Sequence, residues 1–457
     1  MTRTPPEQIV AAVTALAEDL AEWCVEGRDR PLAAHEQAVL ARVRRVLPRL
    51  LRAVVELATS ELDGRLRRAR AACPRCGRKA KPHHAQQRQV QTTCGTLDLD
   101  RPWYHCAACG RGWSVVETVL DVPARARLSA GLLAWAARLG AAAPFREAAE
   151  VLAALTGLEL GAETIRRHTA QVGTTLADAE DAAVARAAGP RGVVEAPDPA
   201  PGLLVAEADG AMVRYLDGWH EVKLGLVAGW DDGALQAPSY VAAREPAAAF
   251  GARLAAEAAR RGALEIDRWE GDVTGRGLAR LRAAAILGDG AAWIWALADE
   301  RFDVRVEVVD AYHAYQHLHT AAGALFGEGP NADAWAAARK SELRAQGVAP
   351  VLAALRGGRA PTPEAAAVLR TERGYFTSNA ERMAYPTLRL DGLPIGSGGI
   401  ESAADHLVQR RMKRAGMRWS DHGGRAMLAL RARLRSRRPI TLSPSIARPP
   451  AGHRVAA

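Results

Sequence analysis

Apolar residues recur at helix spacing from the beginning of the chain. Val10, Val13, Leu16, Leu20 and Trp23 lie three or four positions apart, and Val39 to Leu66 continues the rhythm with interspersed arginines. Residues 1–70 are therefore expected to be a helical N-terminal region, a packing or oligomerisation element before a DNA surface, with a break or kink at Pro48. From residue 71 the rhythm changes. Arg88–Thr93 and Thr96–Tyr104 flank a Cys94-Gly95 turn, and Leu97 and Leu99 alternate with polar neighbours. That pattern predicts a β-hairpin. Leu128–Leu139, Phe145–Leu155 and Ala162–Val172 then read as three helices, the last two separated by a Thr156-Gly157 turn. The third carries Glu163, Thr164, Arg166, Arg167 and His168 on its polar side. Residues 126–185 thus fit a helix-turn-helix that offers Arg166 and Arg167 to DNA. An ordinary three-helix packing has the same pattern. A Pro- and Gly-rich linker, 186–202, follows.

Beyond the linker, short apolar runs alternate with helical stretches. Leu203–Ala208 ends in Asp209-Gly210, and Met212–Tyr215 and His220–Ala228 read as two more strands around an Asp217-Gly218 turn. Pro246–Gly262 is a helix, Ala283–Gly288 a strand ending in Asp289-Gly290, Trp293–Ala298 a helix, and Val304–Val309 a fifth strand ending in Asp310. Three strands, helix, strand, helix, strand is the order of a ribonuclease H-like core. The fold class is accordingly α/β. A ribonuclease H-like catalytic core is expected over 203–438, with a mostly helical stretch at about 320–389 inside it. A helical N-terminus, a zinc ribbon over 71–125 and the helix-turn-helix precede it, and 439–457 is expected as a disordered tail.

Charge sharpens this picture. The 457 residues carry 61 Lys+Arg and 51 Asp+Glu, a net charge of +10. Residues 410–438 hold 11 of the basic residues and one acid, Asp421, which is the same excess. The positive charge therefore sits directly behind Glu401, which follows the flexible run Gly396-Ser397-Gly398-Gly399-Ile400. Arg410, Arg411, Lys413, Arg414 and Arg418 are the candidate phosphate contacts. Apolar members of the same run (Met412, Met417, Trp419, Met427) imply a packed helix with an arginine side. No apolar stretch is long enough to span a bilayer and Met1–Pro5 does not begin a signal peptide, so a cytoplasmic, membrane-free protein is expected.

Two sites carry chemistry. Cys73-Pro-Arg-Cys76 and Cys106-Ala-Ala-Cys109 flank the hairpin, and two CxxC turns supply four thiolates to a tetrahedral Zn²⁺. His83, His84 and His105 are spare ligands. The staple is structural, with or without a grip on DNA. The second site is acidic. Asp209, Asp289 and Glu401 come from separate segments, and carboxylates converging there repel one another unless cations lie between them. Two Mg²⁺ ions suit such oxygen ligands and phosphodiester chemistry, with Mn²⁺ as a substitute. Glu207 shares a strand face with Asp209 and competes with it. Asp310 competes with Asp289, but Asp310 with His313 reads better as a hydrogen-bonded support pair. Asp405, one turn after Glu401, is a candidate either to support the acidic site from behind or to form a salt bridge. Trp293 and Trp295 read as core before base-stacking residues.

Several segments carry a family resemblance: Ala208-Asp209-Gly210, Gly288-Asp289-Gly290 through Trp295, Asp310-Ala-Tyr-His313, Gly396 through Ser402, and Gln409 through Trp419. Together they resemble the DDE transposases of the ISKra group of bacterial insertion sequences, and the ribbon and helix-turn-helix fit that group too. The Asp310-x-x-His313 motif is similar to one in Mutator-like transposases, beside the active site but outside the triad. The resemblance implies Asp209, Asp289 and Glu401 as the magnesium-binding catalytic triad, and the helical stretch at about 320–389 as a helical insertion into the core. It also implies double-stranded DNA as partner, both element ends and target, with a homo-oligomer working on it at the bacterial nucleoid. Two other functions share these features: a non-catalytic DNA-binding regulator, and a ribonuclease H-like nuclease that cuts without joining.

Overall fold

The long strand rhythm after residue 202 builds a five-stranded mixed sheet, and the acidic residues gather around it. The computed structural model describes residues 4–26, 29–66, 70–120, 122, 127–188, 194, 197–263, 285–302 and 305–440. Contacts divide the chain into two compact units, Met1–Thr169 with Ile440–Ala457, and Ala170–Pro439. Among the described residues no helix is long and apolar enough to cross a membrane.

In the first unit, helices α1 (Pro5–Glu26) and α2 (Leu32–Leu66) pair with each other. α2 continues through Pro48 rather than breaking there. Short strands β1 (Ala71–Ala72) and β2 (Lys79–Ala80) pair antiparallel, and β3 (Pro82–Thr92) pairs with β4 (Gly95–His105). β5 (Gly112–Trp113) adds to β4. Val90, Leu97 and Leu99 point from this hairpin into a small core with Leu51, Val55, Leu120 and Val122. After the short helix α3 (Val115–Val119) come α4 (Ala130–Ala142) and α5 (Phe145–Thr156). Helix α6 (Ala162–Ala187) extends well past Val172, where the sequence pattern sets its end. Leu132, Ala136, Leu152 and Ile165 close α4, α5 and the start of α6 around one core.

The second unit holds β6 (Leu203–Tyr215), β7 (Gly218–Asp231) and β8 (Ala234–Ala243) as an antiparallel meander. β9 (Ala285–Gly288) runs parallel to β6, and β10 (Val306–Val309) parallel to β9, giving the order β10-β9-β6-β7-β8. This changes the sequence-based expectation in two places. Leu203–Ala208 and Met212–Tyr215 are one strand, because β7 pairs with every residue from Leu203 to Tyr215 and carries the chain straight through Asp209-Gly210. Asp209 therefore sits mid-strand, not at a strand end. The third strand is β8, whose Ala-rich stretch with Pro238 lacks a strand signature. One strand split and one missed leave the count at five.

Helices α7 (Ala247–Ala258) and α8 (Ala292–Arg301) bury Phe250, Leu254, Trp295 and Leu297 in the same core as Val205, Ile286 and Val308. A π-helical turn, Ala259–Ala263, ends α7. Helices α9 (Ala311–Phe326), α10 (Pro330–Gln346), α11 (Val348–Gly357), α12 (Pro363–Ser378) and α13 (Tyr385–Leu390) follow β10, so the stretch expected to be helical is helical. Their Leu343, Val351, Leu369 and Phe376 join that core. Then α14 (Gly398–Ala404), a π-helical turn over Asp405–Gln409, α15 (Arg410–Met412) and α16 (Asp421–Arg435) complete the unit. The part of α6 within this unit lies against α16 so closely that a Cβ on Gly173 would stand 2.2 Å from the Ala426 carbonyl oxygen. Gly173→Ala is expected to cost about 1–3 kcal/mol of stability by forcing the two backbones apart, read as a lower denaturant midpoint.

Candidate functional site

Two sites stand out. In the first unit, the segments Cys73 to Arg78 and Cys106 to Arg111 fold alike. Gly77 N–H returns to Cys73 O and Gly110 N–H to Cys106 O, while Cys73 N–H reaches Arg78 O and Cys106 N–H reaches Arg111 O. Each knuckle is framed by a strand pair, β1 with β2 and β4 with β5. The sulfurs of Cys73, Cys76, Cys106 and Cys109 all lie within 4.8 Å of one another. Cys73 Sγ is 3.6 Å from Cys109 Sγ, and Cys76 Sγ is 3.6 Å from Cys106 Sγ. Burial raises the Cys73 thiol, but backbone N–H groups of Arg75 and Cys76 outweigh it and bring it down to about 7. Thiolate formation there suits a metal ligand. Four gathered sulfurs fit a structural Zn²⁺, which would cross-link the two knuckles. Among the described residues this is the one group of three or more His, Cys, Asp or Glu side chains gathered so closely. His83 and His84 instead contact each other, 2.8 Å between their Nδ1 atoms.

In the second unit, Asp209, Asp289, Asp310 and Glu401 line one pocket of about 120 Å³ with His313, Tyr312, Gln316, Ser397 and Ile400. No Lys or Arg is among the lining residues. Asp209 arrives on β6, Asp289 just after β9, Asp310 just after β10 and Glu401 on α14. Burial pushes the Asp209 carboxyl up to about 6, and the negative charges of Asp289 and Asp310 add to this. Asp289 Oδ1 accepts from Ala291 N–H at 2.8 Å, so its carboxylate also braces its own turn.

The two rival acids have holding roles. Glu207 is 1% exposed, and its Oε2 accepts the Ile400 N–H at 2.6 Å. Asp310 caps α9 through the backbone N–H groups of Tyr312 and His313, and its Oδ1 also accepts the Ser397 N–H at 3.1 Å. The Asp310–His313 link therefore runs through backbone, not through the imidazole. Two buried carboxyls thus clasp the glycine loop on either side of Gly398-Gly399. The clasp needs a bare backbone, since a Cβ on Gly399 would stand 2.9 Å from Glu207 Oε2 and 2.5 Å from Leu235 Cδ1. Glu401 follows directly and is exposed at the pocket. His313 sits half-buried, with burial holding its imidazole below the usual range. Gln316 is a pocket residue the sequence reading passed over; its place one turn after His313 on α9 is the available signal.

The basic stretch divides by helix face. Arg410 Nε pairs with Asp405 at 2.6 Å, so Asp405 is the salt-bridge partner. Lys413, Arg414 and Arg418 are exposed. Arg411 corrects the expectation: it is 1% exposed, on the inward face with Leu407, Val408 and Met412, its guanidinium 5.2 Å from the Trp419 ring. Burial brings its pKa down to about 10. In the first unit, Arg166 and Arg167 are exposed in the opening turns of α6, and Arg166 forks onto Glu163 at 2.6 and 2.7 Å. Trp295 is core, and Trp293 packs against the core at 6.0 Å from Phe250. A larger cavity of about 480 Å³ is lined by Asp181, Arg244, Arg253, Asp421 and Arg425. Its arginines are bound to Asp178, Asp181, Glu245 and Asp421, so it is an ion-pair seam among α6, the end of β8, α7 and α16.

Comparison with protein-family models finds no match, and comparison with curated proteins finds no similar sequence.

Purified protein is expected to carry stoichiometric zinc. Cys76→Ser or a strong chelator should remove it and expose the hairpin to protease, whereas metal-free protein indifferent to chelator would contradict the cysteine site. A pH effect follows from Glu207, which burial pushes up to about 8. The folded state then binds more protons than the unfolded chain between about 4.5 and 8, so stability falls as pH rises through that window. Asp209 adds to the same slope at its lower end. Glu207→Gln, which keeps an acceptor for Ile400, should flatten the slope by up to about 1.4 kcal/mol per pH unit, measured by denaturation at pH 5 to 8.

Proposed function

We propose that this protein is a DNA transposase of the DDE type, with Asp209, Asp289 and Glu401 as its catalytic carboxylates. One observation carries the reading: residues some 80 to 190 positions apart, on β6, after β9 and on α14, line one acidic pocket without a basic side chain. The sheet order β10-β9-β6-β7-β8, with an antiparallel meander followed by two parallel strands, supports it, because a ribonuclease H-like core is ordered that way.

The donor set fits divalent cations. It consists of carboxylate oxygens, those of Asp209 and Asp289 half-buried and those of Glu401 exposed, and hard cations such as Mg²⁺ take such ligands. When bound, these ions would neutralise phosphate charge and activate the attacking water or 3′-hydroxyl. The chain's own part is placement. β6 fixes Asp209 at the floor, Asp289 is braced through Ala291 N–H, and the Glu207 and Asp310 clasp holds the loop from which Glu401 reaches the pocket. Lys413, Arg414 and Arg418, exposed shortly after the π-helical turn, would track the DNA backbone, as would Arg166 and Arg167 on α6. Arg411 has a packing role. The four-cysteine ribbon would hold the DNA-binding region in shape, and a homo-oligomer would pair two element ends.

Asp209→Asn, Asp289→Asn and Glu401→Gln should each lower Mg²⁺-dependent cleavage of DNA carrying the gene's own flanking sequences by about 100-fold or more, with DNA binding retained. Full cleavage by any of the three removes that residue from the triad. Cleaved but never joined products would favour a nuclease, and inverted repeats bounded by a short target duplication around the gene would favour the transposase.

A further inference from the structure

The helical segment between β10 and the glycine loop reaches the ends of both parallel strands through tyrosine hydroxyls. Tyr375, on α12, donates its Oη–H to the Asp289 main-chain carbonyl at 2.9 Å. Tyr385, at the start of α13 and fully buried, donates to the Val309 carbonyl at 2.9 Å. Asp289 follows β9 and Val309 ends β10 beside Asp310, so each phenol grips the backbone next to a pocket acid. The Tyr375 ring is itself fixed. His317 stacks on it with ring centres 3.6 Å apart, and His317 Nδ1 lies 2.7 Å from Glu372 Oε2. Glu372 is 5% exposed and comes from the same helix as Tyr375. Gly290 completes the fit. It has φ +104°, and a Cβ there would stand 2.7 Å from Tyr375 Cε2.

We propose that Tyr375, held by the Glu372–His317 pair, is a positioning residue that fixes the Asp289 turn, with Tyr385 doing the same for the end of β10. The helical segment is thus a brace for the acidic pocket as well as an added layer. The turn has few alternatives to this support. Asp289 spends one carboxylate oxygen on Ala291 N–H, and Gly290 occupies backbone space that favours no side chain. Without the phenol, the Asp289 carbonyl loses its 2.9 Å donor and the glycine turn regains freedom.

The link to catalysis rests on the cation-dependent function proposed above, but the bracing does not, and the test separates them. Tyr375→Phe keeps the ring and its stacking and removes only the hydroxyl; His317→Gln loosens the ring instead. Hydrogen–deuterium exchange of the peptide covering residues 286–294 should quicken about fivefold or more in Tyr375→Phe, the scale of one lost hydrogen bond, with the global melting temperature nearly unchanged. His317→Gln should quicken it in the same direction. In a cleavage assay, the Mg²⁺ concentration giving half-maximal rate should rise by a similar factor in Tyr375→Phe. Unchanged exchange in this peptide in both variants overturns the proposal. Faster exchange in a protein whose wild type cleaves no DNA would uphold the brace and sink the transposase reading instead.

Discussion

The hydrogen bond from Ile400 N–H to the buried Glu207 carboxyl, 2.6 Å long, is the contact on which the acidic pocket depends. Glu401 is the next residue, and its helix is too short to hold a position alone. Glu207 fixes that helix to the middle of the sheet, and Asp310 fixes the preceding turn to the end of β10. Both acids are nearly inaccessible, so each bond forms where a lost partner leaves a polar group without water. Packing then excludes alternatives, because Gly399 admits no side chain between Glu207, Leu226 and Leu235. The same pair of acids explains why Glu207 and Asp310 look catalytic in sequence. Asp310 lines the pocket and Glu207 lies two residues before Asp209 on β6, and both carboxylates accept backbone N–H groups.

A division of labour follows. Asp209 is carried by β6 and Asp289 by the turn that follows β9, while Glu401 is carried by a loop and a helix that passes into a π-helical turn. In that turn Arg410 N–H reaches Asp405 O, five residues back, and such turns recur where helices serve function. Beyond the turn Arg411 is buried, its guanidinium 5.2 Å from the Trp419 ring. Arg431 fastens the same stretch from α16 by donating to the Leu407 and His406 carbonyls. Charge crowding in residues 410–438 is therefore partly an internal fastening and partly an exposed basic surface.

Spacing made some of this legible in the sequence. Two CxxC pairs around a hairpin predict the four-sulfur cluster because cysteine pairs have few other uses in such a pattern. Asp209, Asp289 and Glu401 stand out in the sequence because each ends an apolar run or follows a glycine loop, and all three line the same pocket. The misplacement of Asp209 has a local cause. Asp-Gly is a strong turn signal, yet β7 pairs through it and keeps the strand extended. β8 has one Val and a Pro, so only its partner β7 makes it a strand. A run of basic residues hides helix periodicity, so the sequence offers Arg411 as a phosphate contact although it is buried. The tyrosine contacts were out of reach altogether, since they join residues 86 and 76 positions apart and depend on how the helices return to the sheet.

In the proposed site Asp209, Asp289 and Glu401 hold divalent cations together. Anomalous diffraction from crystals soaked in Mn²⁺ tests it most directly. Mn²⁺ density is expected between the three carboxylates and is expected to be lost in Asp209→Asn. Crystals with all three carboxylates ordered and Mn²⁺ bound only elsewhere would contradict it.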